Sequence, residues 1–300
     1  MTTMATNIEL AHASASATLA PKPSVAEVVA RFVRTKPLGA AGAVIILGML
    51  FLAMFAQMLA PYDPYVGDYG AQFQRPSVEH WFGTDEFGRD VMSRIMYGAR
   101  IALFVGFAAS FIGCTIGALL GVISAYWGGR VDLLLERLMD ILLAFPQLIL
   151  ALAIASILGP AVQNVVIAIS IPVIPRVARV IRAAALSVKE NVYVEAVQAL
   201  GATRRRVILQ HIIPNVAAPY IIMLTAQLGA AILAEAALSY LGLGTQPPHP
   251  SWGLMLREAQ NFLARSPGYA VFPGGAIALA VLGFNLLGDG LRDLLDPRIS

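Results

Sequence analysis

Residues 38–60 read LGAAGAVIILGMLFLAMFAQMLA, an unbroken apolar run between Lys36-Pro37 and Pro61-Tyr62-Asp63-Pro64. A helix crossing the hydrocarbon core of a bilayer needs roughly 20 mostly apolar residues, and this run supplies them. It is too long for the apolar core of a secretory signal and its exit lacks a small-residue cleavage pattern, so it reads as a retained first span. Five more runs follow: Ile101 to Trp127, Leu134 to Leu158, Ala161 to Ile181, Val216 to Leu241, and Ala270 to Leu287. Pro172 and Pro175 interrupt the second half of the fourth. The expected fold is an all-α membrane protein with six transmembrane helices. Composition agrees. Hydrophobic residues make up 58% of the chain and charged residues 13%, against about 25% charged in an ordinary soluble domain. Mean hydropathy is +0.71.

Orientation follows from the basic residues. With the N-terminus cytoplasmic, the outer segments hold six of the 21 lysines and arginines: Arg75, Arg89, Arg94, Arg100, Arg257 and Arg265. The inner segments hold the other 15, so both termini are expected inside. Residues 1–36 then form a cytoplasmic tail. Its first twenty positions, with Ala13-Ser14-Ala15-Ser16-Ala17, have the composition of a disordered leader. The first outer segment, Pro61 to Gly98, is rich in acidic, Pro, Gly and aromatic residues and is expected to be an ordered loop.

In the second run Gly106, Ser110, Gly113, Gly117 and Gly121 recur near helical spacing. Small residues three or four apart let helix backbones approach closely in lipid. This helix should therefore pack tightly on a neighbour, in this chain or in a second subunit. Glu235 sits well inside the fifth run, where a carboxylate is costly unless paired or facing water. Both a pathway role and a paired structural role fit it. Glu136, Arg137 and Asp140 are expected at headgroup level, and Arg176, Arg179 and Arg182 as a basic surface touching lipid headgroups. Cys114 has no disulfide partner, and the four histidines show no metal-ligand spacing.

Between the fourth and fifth runs, residues 187–215 read SVKENVYVEAVQALGATRRRVILQHIIPN. Val192, Ala196, Ala199 and Leu200 give a short amphipathic helix. Gly201 suits its left-handed end, and Thr203 can cap a second helix that runs to His211 and is closed by Pro214. The expected product is a helix, a sharp turn and a helix, projecting from the membrane with a basic tip. Glu195, Ala196 and Gly201, followed after nine residues by His211-Ile212-Ile213-Pro214, resemble the EAA loop of ATP-binding-cassette (ABC) importer permeases. Val197 and Ile213 depart mildly from the usual alanine and leucine. The stretches 80–90, 143–146, 240–248, 285–293 and 296–298 resemble the dipeptide, oligopeptide and nickel branch of that family. The resemblance covers nearly the whole chain from Pro37 onward.

The resemblance implies a type I ABC importer permease fold in a bacterial or archaeal inner membrane. It implies a permease subunit that forms half of a translocation pathway for peptides or similar small solutes. The implied partners are a second homologous permease, two ATP-binding subunits, a periplasmic binding protein and membrane lipid, with no nucleic acid. Residues 187–215 would dock in an ATPase cleft, with Glu195, Ala196, Leu200, Gly201, Ala202, Thr203, Arg204 and Arg205 as coupling residues. Residues 37–98 would be a first helix plus periplasmic loop, 99–289 the common core with five transmembrane helices, and 290–300 a cytoplasmic tail.

The chain holds no G-x-x-x-x-G-K-[ST] loop, so ATP is expected on partner subunits, with no catalytic residue, cofactor or metal in this chain. The alternative is a secondary transporter driven by an ion gradient, which would favour inverted repeats and several midplane carboxylates. Glu235 is the one candidate carboxylate, and no repeat is evident. An intramembrane protease would need a nucleophile and base within the spans, and no histidine falls in one.

Overall fold

The computed structural model describes residues 24–295. The expected disordered leader and the 296–298 stretch lie outside the described residues. Within the expected tail, Val25–Thr35 form α1. A capping box starts it: the Ser24 hydroxyl accepts from the Glu27 amide at 3.3 Å, and the Ser24 amide donates to the Glu27 carboxylate at 3.1 Å.

The remaining described residues form a helical unit. Its helices are α2 (Pro37–Met54), α3 (Ala56–Leu59), α4 (Val91–Trp127), α5 (Gly129–Leu143), α6 (Gln147–Leu158) and α7 (Val162–Lys189). They are followed by α8 (Val192–Ala199), α9 (Arg204–Val207), α10 (Ile213–Tyr240), α11 (Trp252–Ala259) and α12 (Gly268–Leu295). Five helices are long and apolar enough to cross a bilayer: α2, α4, α7, the Arg204–Tyr240 stretch and α12.

The third expected span differs. It is a pair of helices, α5 and α6, bent by 89° across Ala144-Phe145-Pro146, and counted as one crossing it completes six. Pro146 lacks an amide hydrogen and disfavours helical backbone at the residue before it, so the chain turns there. At 1.5 Å per residue α6 spans about 18 Å, roughly half of the bilayer core. The acidic residues of α5 are paired with arginines of α7. Asp132 takes two 2.6 Å hydrogen bonds from Arg182, Glu136 lies 3.6 Å from both Arg179 and Arg182, and Asp140 pairs with Arg179. Acids four residues apart share one helix face, which is why three of them meet two arginines. These groups therefore join two helices of the chain.

Pro172 and Pro175 do not break α7, which is the most buried of the five spans. Its neighbour is α4, and the glycine stripe explains the fit. A Cβ built on Gly113, Gly117 or Gly121 would stand 2.7, 2.7 or 2.5 Å from the carbonyl oxygens of Ser170, Ile174 and Ala178. The two backbones touch directly, as small-residue seams in lipid allow. The partner of the stripe thus lies within this chain. Gly106, about two turns before Gly113, faces Ile232 of α10. Gly42 and Gly283 let α2 and α12 approach in the same way, and Arg100 donates to the Ala53 and Met54 carbonyls at 2.6 and 3.2 Å, satisfying the end of α2.

Of the expected outer loop, Pro61 to Asp90 is ordered, while residues 91–98 already belong to α4, which starts ten residues before the expected second span. Asp85 accepts from the amides of Phe87 and Arg89 at 2.8 and 2.9 Å and from Arg89 Nε at 2.6 Å. Asp90 caps α4 by accepting from the Ser93 amide and hydroxyl at 2.8 and 2.7 Å. The fully buried Arg94 reaches Glu258 of α11 at 3.1 Å, and Tyr269 of α12 donates to the same carboxylate at 2.9 Å. Loop and two helices are thereby locked in one polar cluster.

Candidate coupling site

The stretch after α7 begins with an anchor. Lys189 donates to the Ala125 and Tyr126 carbonyls at 3.1 and 2.9 Å, so the ends of α4 and α7 are fastened together beneath it. Sequence reasoning did not single out Lys189. Its signal is a lysine in the last turn of a helix, and its partners are the free carbonyls at the end of another.

From there α8 runs to Ala199, and Gly201 takes a φ of +88°, the left-handed turn expected of it. The Gly201 and Ala202 amides donate back to Gln198 and Val197 at 2.9 and 3.2 Å and close the helix end. The Thr203 hydroxyl accepts from the Arg206 amide and caps α9. The second helix does not stop at Pro214 as expected. It passes through one π turn at Ile208–Ile212 and continues as α10. A proline ring clashes with the carbonyl four residues earlier, and the wider turn just before Pro214 relieves that conflict. Asn215 adds a tie, donating to the His211 carbonyl at 2.7 Å and to the Tyr193 hydroxyl at 3.3 Å.

The burial pattern reverses the simplest amphipathic reading. Val194, Val207 and Ile212 are fully buried and pack with Val177, Ile181 and Ala185 of α7. Val192 and Leu200 are 80% and 88% exposed, and Ala196 and Ala199 are exposed beside them. The apolar stripe read from the sequence therefore faces outward, while Val194 holds α8 to the core. Glu195, Gly201, Thr203, Arg204 and Arg205 are exposed around this stripe, and Ala202 is half-buried. The surface is apolar at its centre, with one carboxylate and a basic cluster at its rim.

Glu235 lies far from this surface. It is buried on α10 and accepts from the Ser239 hydroxyl at 2.7 Å, and Ser239 in turn accepts from the Thr245 amide at 3.3 Å. The carboxylate thus braces the loop that follows α10.

A family model described as binding-protein-dependent transport system inner membrane component matches residues 117–300. The chain belongs to that family. A second model, the N-terminal TM domain of oligopeptide transport permease C, matches residues 25–76. Among similar proteins, the dipeptide transport system permease DppC of Alkalihalophilus pseudofirmus is 46% identical over 259 residues, covering 86% of this chain and 85% of that protein. The glutathione transport system permease GsiD of Escherichia coli is 43% identical over 268 residues, covering 89% and 88%. An inward-facing structure of the MetNI methionine ABC transporter superposes with a TM-score of 0.57 at 16% identity, over 68% of this chain and 97% of that one. The fold is that of type I ABC importer permeases. The permease is a multi-pass inner-membrane transport subunit of an ABC importer and not an enzyme. It works with ATPase and substrate-binding partners, which sets aside the gradient-driven alternative.

Proposed function

We propose that this permease forms half of a pathway for peptides or similar small solutes and pairs with a second, homologous permease. Residues 187–215 are its docking element for one of two ATPases, which bind all the ATP. Both termini are cytoplasmic, residues 37–98 are an N-terminal addition, and residues 99–289 are the common core. Glu235 is structural.

The observation that carries this reading is Leu200, 88% exposed at the tip of an anchored helix beside the turn at Gly201. An apolar patch held open on an ordered scaffold fits a socket in a partner, with a polar rim to orient it. Glu195, Ala196, Ala202, Thr203, Arg204 and Arg205 complete the surface. The dipeptide and glutathione carriers among the relatives support the solute class. The bias of basic residues supports the orientation.

The test replaces Cys114 by serine, adds Thr203→Cys, and applies a thiol-directed crosslinker to membranes containing the co-expressed ATPase. A nucleotide-sensitive crosslink to the ATPase is expected. Its absence at Thr203→Cys, Ala199→Cys and Arg205→Cys alike, with both proteins present and inserted, would overturn the docking assignment. Isolation of the chain by itself as a stable, ATPase-binding homodimer would overturn the second-permease assignment.

A further inference from the structure

We infer that the inner half of α12 lines the water-filled exit of the translocation pathway, through a polar stripe of Asn285, Asp289 and Arg292. This rests on the importer reading above and deepens it by naming the wall. The three residues recur every three or four positions and so share one helix face. They line an open cleft of about 570 Å³ together with Val180 of α7 and Met223 and Ala226 of α10. All three are exposed, and none makes a side-chain hydrogen bond or ion pair among the described residues. Asp289 and Arg292 carry opposite charges and are not paired with each other.

Depth makes this informative. Asn285 falls inside the apolar run that ends at Leu287, and so at the inner side of the bilayer core. It stands against the middle of α10, where a Cβ on Gly229 would come 3.1 Å from its side-chain oxygen. Polar groups at that level are costly against lipid unless they meet water or other polar groups. The cleft has the volume of roughly 20 water molecules, so water alone satisfies the stripe. A dry protein interface would need a complementary partner for each of three groups. An amide and two opposite charges in sequence also suit a polar solute of mixed charge, held weakly enough to leave.

The test uses the assembled complex in inside-out membrane vesicles, with Cys114→Ser as background. Asn285→Cys, Asp289→Cys and the lipid-facing control Leu279→Cys are each treated with a membrane-impermeant maleimide, which needs water to react. Modification at 285 and 289 at least tenfold faster than at 279 is expected. Rates at 285 and 289 no faster than at 279 would overturn the inference. If the same cysteines then react rapidly in the chain expressed without its partners, the stripe is an interface with the second permease. If they stay slow there too, it faces lipid. The Thr203→Cys crosslink is read in the same vesicles, so failure of the importer reading is seen separately.

Discussion

Replacing Gly117 by alanine tests the seam between α4 and α7 with a single methyl group. The new Cβ would lie 2.7 Å from the Ile174 carbonyl oxygen, 2.9 Å from Val177 Cβ and 3.2 Å from the Ala178 nitrogen. Carbon contacts settle near 3.5 Å, so the helices must part by roughly 0.5 Å or more, loosening contacts on either side. Overpacking of this kind costs about 1–3 kcal/mol. Alanine also raises helix propensity by up to about 1 kcal/mol, which would mask part of the effect. Gly48→Ala provides the reference, because nothing lies within 4 Å of a Cβ there. The difference between the two variants cancels propensity and isolates the seam. At roughly 2–4 °C per kcal/mol for a chain of this size, Gly117→Ala should melt about 2–12 °C below Gly48→Ala. Both are heated at one rate in detergent and the surviving folded fraction is read by size exclusion, since such melting is operational. Indistinguishable melting of the two variants would refute the backbone-contact argument.

Gly201→Val should abolish uptake while the protein inserts in normal amounts, because a β-branched residue resists a φ of +88° and no neighbour within 4 Å offers a steric explanation. Gly201→Asn, which tolerates that region, should keep substantial uptake, and equal loss in both would point to some other cause. In the outer loop, burial pushes the Glu86 carboxyl above its ordinary range. Between the ordinary and the raised value the folded chain binds more protons than the unfolded one, so stability falls as pH rises through that window. Glu86→Gln should flatten the fall of melting temperature with pH, and an unchanged slope would show that another group carries it.

Local covalent properties made much of this molecule legible in its sequence. The length of the first span, the left-handed turn at Gly201 and the cap at Thr203 each depend on residues adjacent in the chain. The glycine stripe was equally readable, but its partner was not, because spacing says how closely a neighbour can come and not which neighbour comes. Averaged hydropathy hid the bend at Pro146, since α6 is apolar enough to lend its character to the charged helix before it. The pairing of Asp132 with Arg182 and of Arg94 with Glu258 joins residues 50 and 164 positions apart. No periodicity encodes such contacts. Pro172 and Pro175 show the converse, a local rule overridden by packing, because α7 stays one unbroken helix through both where it lies against α4. In α8 the apolar stripe was found correctly, but the core took Val194 and left the stripe outside.

The π turn that carries α9 into α10 has a mechanical consequence. From Arg204 to Tyr240 the chain is one 37-residue helix, about 55 Å long. Such a rod is a lever arm with the Gly201 tip at one end and, at the other, the loop that Glu235, Ser239 and Thr245 fasten in place. A tilt of about 5° about one end displaces the other by roughly 5 Å over that length. A modest stroke at the tip is thus carried along one continuous helical backbone to the far side of the membrane, with the π turn and Pro219 as the points where it can bend.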